Sequence, residues 1–300
     1  MRIVSLLPSA TEIVCGLGLR SSLVGRSEEC DYPSSVRELP VIMHARAWDA
    51  DRPSSEIDAR VRSTRAAGAS LYVLDVGHLT ALRPDLLLTQ DLCGVCSVTE
   101  AEVASACGLA GIAPTILSLT PRTLSEVWAS VETIGRTAGC EGRARAMAEA
   151  LRARSAATSV DGPPPRVAVV EWLDPPILAG LWTPEIVERA GADPLGPRRG
   201  EPGQRTRWSE IADARPDLLL VAPCSFGVER TLAELREGTE LARQLAACSP
   251  RLGTWIADEA YFSRPGPRLA DGVELIRSIL EGRPHDAPMP AAPWPPGAIA

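Results

Sequence analysis

Arg83-Pro84-Asp85-Leu86-Leu87-Leu88 returns later in the chain as Arg215-Pro216-Asp217-Leu218-Leu219-Leu220. Each copy is a proline-led turn running into three leucines, the pattern of a short strand buried on both faces. Each is followed by a cysteine-bearing turn: Gln90-Asp91-Leu92-Cys93-Gly94-Val95-Cys96 after the first, Ala222-Pro223-Cys224-Ser225-Phe226-Gly227 after the second. The same strand entered the same way twice predicts two similar halves, and two halves predict two lobes with one cleft.

Outward from the repeat, short apolar runs alternate with helical patterns. Strands are expected at Arg2 to Leu7, Leu23 to Gly25, Leu71 to Leu74, Leu86 to Thr89 and Thr115 to Leu117 in the first half. In the second they are expected at Arg166 to Val170, Leu218 to Val221 and Gly253 to Ile256. Helical spacing falls at Glu12 to Leu17, Glu56 to Ala66, Thr99 to Cys107, Pro184 to Ala190, Val228 to Ala246 and Pro267 to Leu280. Such alternation predicts an α/β fold, each lobe a mostly parallel sheet covered by helices. Between the halves Leu124, Val127, Val131 and Ile134 keep a helical stripe, so residues 121–160 read as one long linking helix with a break at Gly139 or Gly142. The expected organisation is an N-terminal lobe 1–120, the linking helix 121–160, a C-terminal lobe 161–283, and a proline-rich tail 284–300 without a core of its own.

Composition agrees with two domains. The chain has 300 residues, 45% hydrophobic and 23% charged, enough for two sizeable cores. A net charge of −7 argues against a nucleic-acid partner. The first residues read as a folded strand and helix, with Ser9 as N-cap and Glu12 three residues on as a capping box. No apolar run reaches the roughly eighteen residues that cross a membrane. The expectation from this N-terminus, which shows no signal peptide, is a cytoplasmic protein with the eight cysteines mostly thiols, and a membrane permease is doubtful as its partner.

Ligands of open parallel sheets collect outside the carboxyl ends of the strands. There the chain carries Pro8-Ser9, Glu28-Glu29-Cys30-Asp31-Tyr32-Pro33, Asp91 to Cys96, Glu171-Trp172-Leu173-Asp174-Pro175-Pro176, Pro223-Cys224 and Asp258 to Arg268. Through Arg2-Ile3-Val4-Ser5-Leu6-Leu7-Pro8-Ser9-Ala10-Thr11-Glu12, the paired Pro-Asp-Leu turns and the long central helix, the chain resembles the helical-backbone (class III, BtuF-like) substrate-binding proteins of cobalamin and iron-siderophore ABC transporters. It is similar to their leaderless members, which carry comparable Glu-Cys-Asp-Tyr-Pro, Cys-x-x-Cys and Tyr-Phe-Ser-Arg-Pro-Gly-Pro-Arg stretches. The resemblance covers nearly the whole chain. It implies two lobes on a backbone helix and a small-molecule ligand, cobalamin or a related corrinoid, in the interlobe cleft.

The turns themselves supply candidate residues. Cys93 and Cys96 at Cys-x-x-Cys spacing, with Cys30 on a turn at the same sheet edge, suit zinc or an iron–sulfur cluster, or a reversible disulfide; the other reading is apolar thiols packed under a loop. Cys224 stands on the corresponding turn of the second half. Trp172, Trp182, Tyr32, Tyr261 and Phe262 fall on these turns and suit the walls of a broad or macrocyclic ligand; otherwise they plug the gap between lobes. Arg264, with Arg268 on the same rigid turn ahead of a helix, can take a carboxylate or phosphate. Glu171 at a strand end is a hydrogen-bond acceptor or general base, or half of an interlobe ion pair, and Ser9 opens the first turn. Gly16-Leu17-Gly18 follows a helix, so it is no dinucleotide fingerprint. Only His44, His78 and His285 are present, too few for a histidine-rich metal site, and Arg198, Arg199, Arg205 and Arg207 read as a solvated rim.

Two functions follow. The first is a binding protein for a corrinoid or other metal chelate. The second is a metal- or thiol-dependent enzyme in the same cleft, with Cys30, Cys93 and Cys96 as metal ligands or nucleophiles and Glu171 moving protons.

Overall fold

The structure, a computed structural model, describes residues 1–46, 52–91, 98–158, 162–237, 239–286 and 290–294. The chain divides into two compact units: residues 1–52, 59–121 and 126–150 form the first, and 53–58, 122–125 and 151–300 form the second.

The first unit is built on the strands β1 (Ile3–Ser5), β2 (Leu23–Ser27), β3 (Val41–Ala45), β4 (Tyr72–Leu74), β5 (Leu86–Thr89) and β6 (Thr115–Ser118), in the order β4-β3-β2-β1-β5-β6. All neighbours are parallel except β3 and β4. Central strands of such a sheet are covered on both faces and can be apolar throughout, which is why Ile3-Val4 and Leu86-Leu87-Leu88 are all buried. Its helices are α1 (Pro8–Gly16), α2 (Ser54–Ala66), α3 (Val76–Leu82), α4 (Glu100–Ala110), α5 (Leu124–Thr137) and α6 (Glu141–Arg154). The first residues of α2 and α5 and the last of α6 are counted with the second unit. Val4, Leu6, Ile42, Met43, Leu79, Leu87 and Val103 make one core cluster. Each such fully buried aliphatic side chain contributes about 1.5–3 kcal/mol relative to leaving it in water.

Two sequence expectations are refined here. Helix α1 starts at Pro8, with Leu7 as N-cap and no side-chain cap, so Ser9 and Glu12 form no capping box. Proline at the first position has its φ already set and gives up no needed N–H, so the helix begins before the serine. The linking helix comes as α5 followed by α6, broken at Gly139, whose φ of 70° favours glycine. Its predicted stripe, Leu124, Val127, Val131 and Ile134, is fully buried. Strand β3 and helix α3 went unforeseen.

The second unit repeats the plan with β7 (Arg166–Leu173), β8 (Pro176–Leu178), β9 (Asp193–Leu195), β10 (Gln204–Arg205), β11 (Leu218–Val221), β12 (Thr254–Ala257) and β13 (Ala291–Trp294). The order is β10-β8-β7-β11-β12-β13, with β9 also paired to β7. The β7, β9, β11 and β12 pairings are parallel; β8, β10 and β13 add antiparallel edges. Its helices are α7 (Thr183–Arg189), α8 (Trp208–Asp213), α9 (Val228–Glu237), α10 (Thr239–Ala247) and α11 (Leu269–Leu280). Within the proline-rich tail, Ala291–Trp294 pairs along β12 as its edge strand, a position where proline is tolerated because no ladder bond is needed on the outer side.

Candidate ligand-binding site

In the second unit β7, β11 and β12 run parallel with Val170 beside Val221 and Leu220 beside Trp255, so their carboxyl ends open on one edge of the sheet. Backbone bonds tie the three exit turns together. The Cys224 N–H donates to the Glu171 carbonyl at 3.0 Å, and the Glu259 N–H to the Phe226 carbonyl at 3.3 Å. The Cys224 thiol donates to the Ser263 hydroxyl at 3.4 Å. This edge therefore assembles Glu171, Trp172, Cys224, Ser263 and Arg264 from three distant stretches of sequence.

A register shift between Val170 and Trp172, where β7 meets β8, lies at Glu171. Bulges of this kind re-aim side chains at strand ends. The Glu171 carboxylate lies directly against Gly203; a side chain at 203 would overlap Oε1 and Cδ, so only glycine leaves that space open. Trp172 tilts against Phe226, with ring centroids 5.4 Å apart at 48°. The guanidinium of Arg230, one helical turn on, lies 4.3 Å from the Phe226 centroid and pairs with Glu234 at 2.9 Å. Glu234 in turn accepts the Ser54 N–H at 2.8 Å, fixing the start of α2 within this unit.

Other predicted site residues engage their neighbours at the same edge. The Trp182 indole donates to the Phe262 carbonyl at 2.6 Å, and both rings are buried, so they pack the turn. Arg264 forms a buried ion pair with Glu259 at 2.7 Å, which matches its charge locally. The Arg268 guanidinium lies 5.2 Å from the Tyr261 ring centroid. Burial pushes the Tyr261 phenol up, against the hydrogen bond from Arg268, which pulls it down.

In the first unit, Ser9 is buried in the first turn of α1, at the exit of β1. Cys30 is fully buried: the Thr11 hydroxyl donates to its sulfur at 3.0 Å and the thiol faces the Ser5 carbonyl at 3.9 Å. Tyr32 is 52% exposed. Cys93 and Cys96 lie outside the described residues, and no group of three His, Cys, Asp or Glu side chains suited to a metal occurs among the described ones.

Phe226, Arg230, Ser263 and Gly203 joined the site only through the fold. Phe226 and Arg230 did carry a signal, an aromatic and a cation four residues apart at a helix start. Gly203 carried none.

Three comparisons bear on this fold. No protein-family model matches the chain. A curated relative, the uncharacterized ABC transporter substrate-binding lipoprotein YvrC of Bacillus subtilis (strain 168), is 22% identical over 294 residues, covering 93% of this chain and 79% of its own length. A periplasmic heme-binding protein from Pseudomonas aeruginosa matches with a TM-score of 0.66 at 21% identity, over 92% of this chain and 91% of that one. The periplasmic vitamin B12 binding protein BtuF of Vibrio cholerae matches with a TM-score of 0.63 at 20% identity, over 94% and 97%. The resemblance drawn from the sequence thus holds for the fold: this is the two-lobed α/β architecture of those binding proteins. The expected cytoplasmic location is overturned, because the relative is a lipoprotein and these solved neighbours are periplasmic. The strand at Ile3–Ser5 marks where the sheet starts and carries no address for the protein. A membrane permease, doubted only on the ground of that location, is no longer excluded as a partner.

Proposed function

We propose that this chain is a substrate-binding protein that takes a corrinoid or related metal chelate and passes it to a membrane permease. The observation that carries the reading is the second unit's sheet edge, where Glu171, Trp172, Cys224 and Arg230 gather polar and aromatic groups at the carboxyl ends of three parallel strands. Concave sites of this class combine aromatic surface with a few placed polar groups. A fold hosts many functions, so the ligand is argued from these side chains. Ser9, Tyr32, Tyr261 and Arg264 belong to the same proposal at the strand exits of their own units.

No observation among the described residues favours the enzymatic alternative. Cys30, its described thiol, is fully buried and engaged by Thr11 and Ser5, which suits a packed thiol better than a nucleophile or metal ligand.

The test is calorimetric titration of the purified full chain with hydroxocobalamin and with a metalloporphyrin, alongside metal analysis of the protein as isolated. One-to-one binding at micromolar concentration or tighter supports the proposal. No binding of either chelate, with stoichiometric zinc or iron already present, overturns it.

A further inference from the structure

We propose that Trp172 holds the ligand by its indole N–H, donated to a ligand oxygen, rather than by stacking its ring; this rests on the ligand-binding reading above. Trp172 is 9% exposed and sits at the exit of β7, beside the bond that joins Cys224 to Glu171. One part of its ring surface is already taken by Phe226. Its Nε1–H is buried and has no acceptor among the described residues.

The neighbouring indoles show how this unit treats such a group. Trp182 donates to the Phe262 carbonyl at 2.6 Å and Trp208 to the Leu173 carbonyl at 3.2 Å. Trp172, at the carboxyl end of β7, is left with its donor unspent. Trp128 and Trp255 share that state but lie within α5 and β12, away from the strand exits, and they provide internal controls. A buried donor without an acceptor is destabilising, a cost that a ligand oxygen at this spot removes on binding. The chemistry that satisfies an indole N–H is a carbonyl or carboxylate oxygen. The amide side chains of a corrinoid and the carboxylates of a porphyrin both supply one.

The experiment uses the full chain labelled with nitrogen-15 at tryptophan, with Trp172→Phe identifying the Trp172 indole signal by its loss. Hydroxocobalamin and gallium protoporphyrin, both diamagnetic, are the probes. The expected result is a downfield move of the Trp172 N–H signal on binding, with the Trp128 and Trp255 signals unmoved. Trp172→Phe should weaken affinity about tenfold, while its ligand-free melting temperature stays level or rises, because replacing an unsatisfied donor by an apolar ring removes a cost. Movement with hydroxocobalamin alone assigns the acceptor to an oxygen of the corrinoid, and with the porphyrin alone to a carboxylate. If the wild type binds a probe while the Trp172 signal stays still, the inference is overturned, and the wild-type signal decides this even if the variant folds poorly. Wild-type protein that binds neither probe removes the ligand-binding reading itself and this inference with it, an outcome the titration alone identifies.

Discussion

Asp217 accepts the backbone N–H of Arg166 at 2.8 Å, and in the other half Asp85 accepts that of Arg2 at 2.6 Å. The likeness extends further. The Arg2 guanidinium donates to the Leu82 carbonyl at 2.7 Å and the Arg166 guanidinium to the Ala214 carbonyl at 2.6 Å. Arg83 and Arg215, which open the repeated motif, both stand at positive φ, 43° and 51°. The repeat is therefore a clasp that fastens the start of β5 to β1 and of β11 to β7. It sits at the amino ends of the strands, on the opposite edge from the candidate site.

Breaking the clasp should affect stability and spare binding. Asp217→Ala is expected to cost about 1–2 kcal/mol in urea unfolding, since it strips an acceptor from a backbone N–H and from Arg251, both near solvent. The backbone bond from Arg166, followed by the Arg251 guanidinium, holds the Asp217 carboxyl below the usual aspartate range. A depressed folded-state value stabilises above the unfolded aspartate pKa, about 4, and that contribution fades as pH falls through the folded value. The difference between wild type and Asp217→Asn should thus be full near pH 7 and shrink below about pH 4; a difference that grows on acidification would refute this account.

Gly203 should be a steric gatekeeper for Glu171. Gly203→Ala places a methyl where the carboxylate lies, so ligand affinity should fall by about tenfold while circular dichroism stays native. Combining it with Glu171→Ala should cost little beyond Glu171→Ala alone, because the overlap is gone. Additive losses would show that Gly203 acts elsewhere.

Cysteine reactivity should sort by burial. Burial pushes the Cys248 thiol up to about 11, so it stays protonated and unlabelled by iodoacetamide at pH 8 in the native protein. Cys30, fully buried, should be protected likewise, whereas the partly exposed Cys224 should react first of these three. Peptide mapping after timed alkylation reads the order, and native labelling of Cys248 ahead of Cys224 would contradict it.

Glu234 joins α9 to the start of α2 through Ser54 and holds Arg230 over Phe226. Glu234→Ala is expected to destabilise by about 1–3 kcal/mol, leaving the buried Ser54 N–H without its acceptor and removing the carboxylate that pairs with Arg230. Glu234→Gln keeps an oxygen for Ser54 and should lose less. Equal losses in the two variants would show that the Ser54 bond contributes nothing.

Much of the fold was legible in the chain because strands buried on both faces must be apolar without interruption, as Leu86-Leu87-Leu88 and Leu218-Leu219-Leu220 are, and because the Leu124, Val127, Val131 and Ile134 stripe can only be a helix face. Strand β3, Val41–Ala45, was missed since its apolar run is only three residues long before His44 interrupts it. The candidate site was legible only as a set of turns. Which side chain in each turn faces inward and which packs depends on contacts between stretches far apart in sequence: Trp182 and Trp172 look alike in the chain, yet one indole is spent on Phe262 and the other is not.

The sequence by itself determined the two α/β halves, the helical link and the strand exits to inspect, because periodicity and turn chemistry are local properties of the backbone. Tertiary structure alone decided that Arg264 is matched by Glu259, that Cys30 is sealed beneath Thr11, that Gly203 makes room for Glu171, and that the Arg-Pro-Asp repeat is a clasp. Each of those outcomes depends on partners that meet only when the strands align, and a charge, a thiol or a glycine acquires its role from the atoms it meets there.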